Sequence, residues 1–407
     1  MELLWVSAFT PLANSGSAGS KTLDYYFSNM LNNPEYSISL LSIDWYNKTK
    51  LTGFDWSIYG KCARASVLYN DGNIVEKGIN FLERGNLLDS YANLISPLMV
   101  KKTLSKLNEW KLNGYKPDVI ILEWTNMVVL AEKIKELFPD AKLVASEHDV
   151  TFVGYKRKAD YYTGIKQVFW KIKSFQEKKI ELKSLKLCDL ILPQNPDNVK
   201  LLEQEGISPD RLRWLVPYYN NLGQIDAGID SGPKRDILFF GAMSRMENLL
   251  SAEWFIEKVM PLIADLNIRF VILGSNPPEK LKALQNERVI VTGFVENIAP
   301  YFAASLCMVA PLVLGAGIKV KVIEGLSSGI PVLTNTVGIE GIPAKNNQEY
   351  CHCETPEEYE ACIRKLLTGE LNTIGSNGRI FVANNYDLKA SVRRYSEALL
   401  KLGSTVG

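Results

Sequence analysis

Short, continuous runs of apolar residues alternate along the chain with longer segments in which apolar residues recur at helical spacing. Runs such as VIIL and FVIL lack the period-two alternation of a half-exposed strand and are typical of parallel strands buried on both faces. The first half contains predicted strands at 3–8, 37–43, 119–123, 143–146 and 190–193. The alternation restarts after residue 234, with predicted strands at 237–240, 269–273, 289–291, 306–311 and 331–334. The pattern therefore predicts an α/β fold with parallel sheets.

Amphipathic segments between these strands predict helices, for example at 252–262 and 357–367. The second of these begins with a strong N-terminal signal, since Thr355 can cap the helix and Pro356 suits its first position. The last helical stretch covers residues 388–402.

A segment without periodicity, residues 216–236, is rich in Gly, Asn, Asp and Pro and marks a domain boundary. The length of 407 residues, at about 150 residues per domain, also favours two domains. We predict an N-terminal Rossmann-like domain at 1–220, a linker at 221–235, a C-terminal Rossmann-like domain at 236–385, and a C-terminal helix and tail at 386–407 that packs back on the N-terminal domain. Two such domains facing one cleft place the chemistry at the carboxyl ends of their strands.

The amino-acid composition mainly excludes certain classes of protein. Hydrophobic residues make up 46% and charged residues 22%, which excludes a disordered, collagen-like or disulfide-framework protein. The net charge of +1 provides no chain-wide case for nucleic-acid binding. No run of 18 or more apolar residues exists, and the N-terminal MELLWVSAF lacks the charged start of a signal peptide. We therefore expect a cytoplasmic protein whose six cysteines are reduced.

The most informative segment for chemistry is PLVLGAGIKVKVIEGLSSGIPVL. A predicted strand ends at its start, a loop with Gly315 and Gly317 follows, and a helix begins near Lys319. Glycines allow close backbone approach, a helix N-terminus offers free N–H groups to an anion, and Lys319 and Lys321 add charges for a diphosphate. Glu324, about one turn further on, can accept hydrogen bonds from ribose hydroxyls. A plain strand–loop–helix with solvated lysines is the alternative interpretation.

The pattern Gly-x-Gly-x-Lys-x-Lys-x-x-Glu, followed by a helix and GIPVL, resembles glycosyltransferases of the GT-B fold. It is most similar to the family 4 group, whose members are retaining enzymes that use nucleotide sugars. The match is most specific over residues 236–342. The resemblance implies a donor site in the C-terminal domain and an acceptor site in the N-terminal one. It implies no metal ion and no organic cofactor, because the nucleotide diphosphate sugar is itself the co-substrate.

The resemblance also implies which residues bind the donor. The family's diphosphate-binding positions are matched by Arg245, Gly317, Ile318, Lys319 and Lys321, with Arg245 slightly displaced. The ribose position is matched by Glu324, and the base positions are matched by Phe294 and Val295. The chain departs from the family at Ala316, where many members carry a glutamate that members with Lys-x-Lys commonly lack.

A second constellation is SEHDV, residues 146–150, at the end of a predicted strand. An arbitrary histidine is most often bonded to a loop carbonyl, but family members often carry His-Asp here, near the donor sugar. The resemblance therefore implies that His148 is in the active site, with Glu147 or Asp149 orienting its imidazole. Glu123, which ends the strand VIILE, is a further candidate for this site.

The loop after the first strand, residues 14–21, is built mainly from small residues. Most Gly/Ser loops are only connections, but family members carry a Gly-rich loop here, between the domains. The resemblance implies that Gly16 and Gly19 approach a phosphate or the transferred sugar.

Residues 155–186 hold ten basic residues against three acidic ones, with aromatic residues between them. An apolar stripe at helical spacing runs through this segment, formed by Ile165, Val168, Phe169, Ile172 and Phe175. Such a segment is expected to bind an anionic membrane surface, and each basic residue contributes ~1 kcal/mol of attraction. Phe169 and Trp170 are the predicted apolar anchors. The alternative is a solvated helix that packs its stripe on the domain core.

Cys351, His352 and Cys353 lack the spacing of a zinc site, and we assign them a structural role. The chain has no Asp-x-Asp, no Gly-x-Ser-x-Gly and no Walker loop. We therefore predict a metal-independent glycosyltransferase that moves a sugar from a nucleotide diphosphate sugar to a saccharide or lipid-linked acceptor, in cell-surface polysaccharide synthesis. Two alternatives stay open: a nucleotide-sugar epimerase of the same fold, and a non-catalytic subunit that binds a sugar nucleotide or a partner transferase.

Overall fold

The structure, a computed structural model, describes residues 1–11, 18–45, 48–50, 55–70, 91, 94–223, 234–315 and 317–404. The chain divides into two compact units, one formed by Met1–Tyr218 with Leu388–Gly407 and the other by Tyr219–Asp387. A six-stranded sheet forms the centre of each unit, and the strand pairs of both sheets are parallel. The predicted parallel α/β architecture is confirmed.

The sheet of the first unit contains β1 (Glu2–Ser7), β2 (Ser37–Asp44), β3 (Arg64–Tyr69), β4 (Val119–Glu123), β5 (Lys142–Glu147) and β6 (Leu190–Pro193), in the order β3-β2-β1-β4-β5-β6. Successive residues of β4 face opposite sides of the sheet. Ile120 and Leu122 join one apolar cluster, while Val119 and Ile121 join the other. Both faces are therefore buried, which explains the continuous apolar run VIIL.

The helices of the first unit are α1 (Ala18–Leu31), α2 (Ser57–Gly60), α3 (Pro97–Leu112), α4 (Thr125–Val128), α5 (Ala131–Leu137), α6 (Thr151–Tyr161), α7 (Gly164–Leu185) and α8 (Pro196–Gln204). Short 3₁₀ turns occur at Lys48–Lys50 and Pro209–Arg211. Phe27 of α1 belongs to one apolar cluster and Leu107 of α3 to the other, so helices pack on both faces of the sheet.

The sequence pattern misses strand β3. This strand lies at the edge of its sheet and begins with the exposed residues Arg64 and Ala65. An edge strand is only partly buried, so its sequence RASVLY lacks the continuous apolar run that marks the central strands.

The sheet of the second unit contains β7 (Asp236–Phe240), β8 (Arg269–Leu273), β9 (Val289–Gly293), β10 (Ser305–Ala310), β11 (Val332–Thr334) and β12 (Cys351–His352), in the order β12-β11-β10-β7-β8-β9. Its helices are α9 (Met246–Trp254), α10 (Glu279–Lys282), α11 (Ala299–Ala304), α12 (Val320–Ser328), α13 (Thr336–Ile339), α14 (Pro356–Thr368) and α15 (Ile374–Asn385). A π-helical turn, Phe255–Val259, continues α9. The predicted cap of α14 is confirmed, because Thr355 and Glu358 form a reciprocal capping box.

Strand order reverses direction at one point in each sheet, between β1 and β4 in the first unit and between β7 and β10 in the second. At such a point the connections leave toward opposite sides of the sheet and open a crevice at the carboxyl ends of the two strands. Ligands of open α/β sheets bind in this crevice. The loops that follow these four strands are therefore the first places to look for a site.

The boundary between the units falls earlier than the linker predicted at 221–235. Leu222 is buried in the second unit, where its N–H donates to Ser327 Oγ at 3.0 Å. Residues 224–233 of the predicted linker lie outside the described residues. The last helix, α16 (Leu388–Gly403), belongs to the first unit, where the hydroxyls of Ser391 and Tyr26 lie 2.6 Å apart. Within the described ranges, no helix is long and apolar enough to cross a membrane.

Candidate functional site

The loop between β10 and α12 lies at the strand-order reversal of the second unit. Gly315 and Gly317 have φ values of 141° and 69°, a left-handed backbone that favours glycine. Lys319 is the residue before the first turn of α12, and Ile318 is half-buried. The predicted strand–glycine loop–helix is therefore present, and it directs the amino end of α12 toward the carboxyl edge of the sheet. Ala316 lies outside the described residues.

Lys321 places its ammonium group in the interior of this site. Nζ donates to Asn248 Oδ1 and lies 4.8 Å from the ring centroid of Phe239. A Cβ at position 241 would come within 2.9 Å of Nζ, so Gly241 makes room for the ammonium group. Burial, helped by the nearby positive charge of Arg245, lowers the pKa of Lys321 to about 7. An anion bound here would favour the charged form of this lysine.

Lys319 is also held in the site, by a different set of partners. Its Nζ donates to the carbonyl of Gly317 and lies 3.4 Å from Glu340 Oε2. The side chain is only 10% exposed. The two lysines are therefore partly buried and oriented, which contradicts the alternative interpretation in which they are solvated.

Asn248 and Glu340 are partners that the sequence pattern did not single out. Asn248 also donates to the carbonyl of Ala242 at 2.8 Å and so ties Lys321 to the loop that follows β7. Both partners come from segments distant in sequence from the lysines, so only the folded chain brings them together. Arg245 immediately precedes α9, is exposed, and pairs with Glu247.

Glu324, the predicted ribose ligand, has a partner inside its own unit. Its Oε1 accepts hydrogen bonds from the backbone N–H of Asn220 at 3.0 Å and from Asn220 Nδ2 at 2.7 Å. Phe294 and Val295 follow β9, three strands from β10 along the sheet. The Phe294 side chain is 74% exposed and Val295 is half-buried.

In the first unit, His148 follows β5 and is buried. Nε2 lies 2.6 Å from Glu123 Oε1, and Nδ1 lies 2.9 Å from Gln194 Nε2. Because an amide nitrogen only donates, Nδ1 accepts from Gln194 and Nε2–H donates to Glu123. Glu123 also accepts from Trp5 Nε1 at 2.8 Å and from Ser146 Oγ at 2.7 Å. The imidazole therefore has one fixed tautomer and one fixed orientation.

The prediction that Glu147 or Asp149 orients the imidazole is wrong, because Glu123 and Gln194 occupy its two nitrogens. Glu147 instead accepts from Thr125 Oγ1 at 2.8 Å. Successive residues at a strand end point to opposite sides. Residues 146 and 148 therefore both reach Glu123, and residue 147 points away from it.

Trp124 was not predicted for this site. Its indole stacks on His148 with ring centroids 4.0 Å apart and an interplanar angle of 9°. Trp124 has φ 69° and ψ 153°, a conformation that costs a residue other than glycine about 1–3 kcal/mol and is common at functional sites. Gly19, in the first turn of α1, is close, since a Cβ there would lie 3.1 Å from both His148 Nδ1 and Trp124. Gly16 lies outside the described residues.

The cysteines of the second unit form a separate, largely buried group. Cys351 and Cys353 are buried, and the Sγ atoms of Cys353 and Cys362 lie 3.6 Å apart as free thiols. In the part of the chain that the structure describes, no group of three or more His, Cys, Asp or Glu residues is arranged to hold a metal ion.

Known proteins resemble this chain in sequence and in fold. Residues 234–369 match the family model described as glycosyl transferases group 1. This range contains Arg245, Phe294, Lys319, Lys321 and Glu324. A curated relative, described as an uncharacterized 44.6 kDa protein in the cps region of Klebsiella pneumoniae, is 22% identical over 168 residues. That match covers 38% of this chain and 43% of the relative's length.

Several solved structures resemble the chain over almost its whole length. Sucrose-phosphate synthase from Thermosynechococcus elongatus has a TM-score of 0.69 at 13% identity, with 100% of both chains covered. HepE from Anabaena, in complex with UDP-glucose, has a TM-score of 0.65 at 12% identity, with 98% of this chain and 100% of that chain covered. The chain therefore has the two-domain GT-B fold. The resemblance to GT-B glycosyltransferases stated from the sequence is confirmed, with a group 1 region in the second unit.

Proposed function

We propose that this protein is a glycosyltransferase that moves a sugar from a nucleotide diphosphate sugar to a saccharide or lipid-linked acceptor. The observation that carries the proposal is the buried ammonium group of Lys321 beside Lys319 at the strand-order reversal of the second unit. The group 1 match covers the same residues, and the HepE neighbour holds UDP-glucose.

The proposed chemistry follows from the charge that develops during transfer. The bond between the anomeric carbon and the donor diphosphate breaks, a bond to an acceptor oxygen forms, and the proton of the acceptor hydroxyl passes to the departing diphosphate. Negative charge collects on the departing diphosphate. Preorganised ammonium groups and helix N–H groups stabilise such charge in a site that need not reorganise. Lys319, Lys321 and the first turn of α12 supply these groups, so we propose a reaction that needs no metal ion.

We propose that His148, in the first unit, contacts the transferred sugar or the reacting centre. Glu123 and Gln194 hold its ring nitrogens, and Trp124 and Gly19 lie against it. A side chain oriented on all these sides is preorganised, and preorganised groups contribute most where interactions strengthen in the transition state. Retention of anomeric configuration is part of the proposal and rests on the family resemblance.

The pathway we propose is synthesis of a cell-surface polysaccharide in the cytoplasm. The position of the Klebsiella relative in a cps region supports the pathway.

A thermal-shift panel of nucleotide sugars, followed by an assay of the product, tests the function. A ligand at 100 times its dissociation constant should stabilise the protein by roughly 2.7 kcal/mol. The ligand that stabilises it most should then release free nucleotide, by hydrolysis or by transfer to an added acceptor. Binding without nucleotide release would indicate a non-catalytic subunit. An isomerised sugar without a new glycosidic bond would indicate an epimerase. Absence of binding across the panel would overturn the proposal.

A further inference from the structure

Helix α7 is amphipathic in the reverse sense to an ordinary helix of a globular unit. Its buried residues are Lys173, Glu177, Glu181, Ser184 and Leu185, so four of the five are charged or polar. Four of its large apolar side chains are exposed: Ile165 by 90%, Val168 by 55%, Ile172 by 43% and Phe175 by 75%. These four residues, the α7 stripe, follow one another at spacings of three, four and three and so share one face. The interpretation in which the stripe packs on the domain core is wrong.

The exposed anchors differ from the two that the sequence suggested. Trp170 is half-buried, because its ring lies 5.3 Å from that of Tyr155 and Lys158 Nζ lies 4.5 Å above it. Phe169 is half-buried too, with its ring 5.2 Å from that of Trp170. The α7 stripe therefore presents Ile165 and Phe175 to solvent as its most exposed side chains.

Positive charge surrounds the α7 stripe. Lys171 and Lys179 lie four residues before and after Phe175, on neighbouring turns of the helix, and both are exposed. Two of the three acidic residues in 155–186, Glu177 and Glu181, are buried. The exposed surface of this segment is therefore more basic than its composition suggests.

We propose that the α7 stripe and its lysines dock the protein on an anionic membrane surface. A lipid surface offers an apolar layer beneath negative headgroups, and so matches both the stripe and the surrounding charge. A second copy of the chain would match the stripe but would bring the two lysine sets together. The inference rests on the proposed function, since a membrane is where a lipid-linked acceptor is presented.

Helix α7, which carries the proposed docking surface, is hydrogen-bonded to the segment that follows His148. Helix α6 begins at Thr151, three residues after His148. Glu181 of α7 accepts hydrogen bonds from the N–H groups of Thr151, at 3.1 Å, and Phe152, at 3.2 Å. The Glu181 side chain of α7 thus holds the amino end of α6, which is the segment that follows His148.

Vesicle co-sedimentation of the full chain tests the proposal. Vesicles of equimolar phosphatidylglycerol and phosphatidylethanolamine are compared with vesicles of phosphatidylcholine. The first variant combines Ile165→Ser with Phe175→Ser, and the second combines Lys171→Gln with Lys179→Gln. Matched controls are Leu112→Ser, which changes an exposed apolar residue, and Lys111→Gln with Lys116→Gln, which remove two exposed charges. The control residues lie at the end of α3 and in the loop before β4, near the amino end of that strand. His148, in contrast, follows the carboxyl end of β5.

Wild type and controls should bind anionic vesicles and leave phosphatidylcholine largely unbound, with less binding at higher salt. At roughly fivefold per charge, the double lysine variant should lose roughly 25-fold in partitioning, and the double serine variant at least about tenfold. Equal recovery on both vesicle types, or loss by the controls as large as by the variants, would overturn the proposal. So would a dimer in sedimentation that only the double serine variant dissociates. Nucleotide-sugar thermal shifts of the same proteins show separately whether the proposed function stands.

Discussion

Lys321 is the residue on which the proposed diphosphate site depends most. An ammonium group packed against Asn248 and the Phe239 ring loses hydration, which lowers its pKa to about 7. Near neutral pH its charged form is therefore less favoured than that of an exposed lysine. A bound diphosphate stabilises the charged form, so binding at higher pH must be accompanied by proton uptake.

This protonation predicts a pH dependence of donor binding. We expect the dissociation constant of the stabilising nucleotide sugar to change little below pH 7 and to rise above it, by up to about tenfold per pH unit. A nucleotide sugar is the right ligand because its diphosphate does not titrate near neutrality. Lys321→Gln should bind more weakly and lose the pH dependence. Calorimetric titrations between pH 6 and 9 measure both effects, and a flat wild-type profile would contradict the assignment.

We expect substitution of Glu324 to weaken the binding of the ribose hydroxyls selectively. Glu324→Gln keeps an oxygen for the two Asn220 donors but weakens the acceptor offered to ribose hydroxyls. Affinity for the nucleoside diphosphate should fall by about 1–3 kcal/mol. Affinity for its 2′,3′-dideoxy analogue should be almost unchanged by the substitution. An equal loss with both ligands would assign Glu324 to holding Asn220 only.

We expect substitution of His148 to lower the turnover number rather than the affinity for the nucleotide. His148→Ala removes a preoriented side chain from the first unit, so kcat should fall by about 100-fold or more while nucleotide affinity changes little. The matched control is His352→Ala, which removes the other histidine, in the second unit. An unchanged kcat in a folded His148→Ala variant would leave this residue with a structural role.

At the scale of secondary-structure elements, helices α6 and α7 differ most from the sequence prediction. A stripe of apolar residues at helical spacing usually marks the buried face. Here most of the buried residues of α7 are charged or polar, and one of them, Glu181, accepts hydrogen bonds from the first residues of α6. Helical periodicity identifies an apolar face, but the neighbouring elements decide whether that face is buried.

The buried acids near these helices predict a second pH effect. Burial, together with the charge of Glu181, raises the pKa of Glu147 well above 4.5. A raised carboxyl pKa contributes stability below the unfolded value and loses it as pH rises through the folded value. Glu147→Gln still accepts from Thr125 and carries no charge. The variant should therefore be more stable than wild type at pH 8, by about 1–3 kcal/mol, and nearly equal at pH 4. Thermal unfolding at both pH values measures this, and a variant less stable at pH 8 would contradict it.

At the scale of the whole molecule, the fold and the loop between β10 and α12 were predictable because their signals are local. Buried strands produce continuous apolar runs, and the loop from Gly315 to Glu324 lies within one short segment. Trp124, Gln194 and Asn248 were missed because they meet His148 or Lys321 only through tertiary contacts. Trp124 also has a backbone conformation that its residue type does not suggest.

The central claim is that the second unit binds the diphosphate of a donor through Lys319 and Lys321. The most direct measurement is calorimetric titration of wild type, Lys319→Ala and Lys321→Ala with the nucleoside diphosphate that stabilises the protein most. Lys345→Ala, which removes an exposed lysine of the same unit, is the control. At about 1.5–3 kcal/mol per charge-assisted contact, each site variant should raise Kd by roughly 10- to 150-fold while the control binds like wild type. Wild-type Kd values in both site variants, with the fold intact, would contradict the claim.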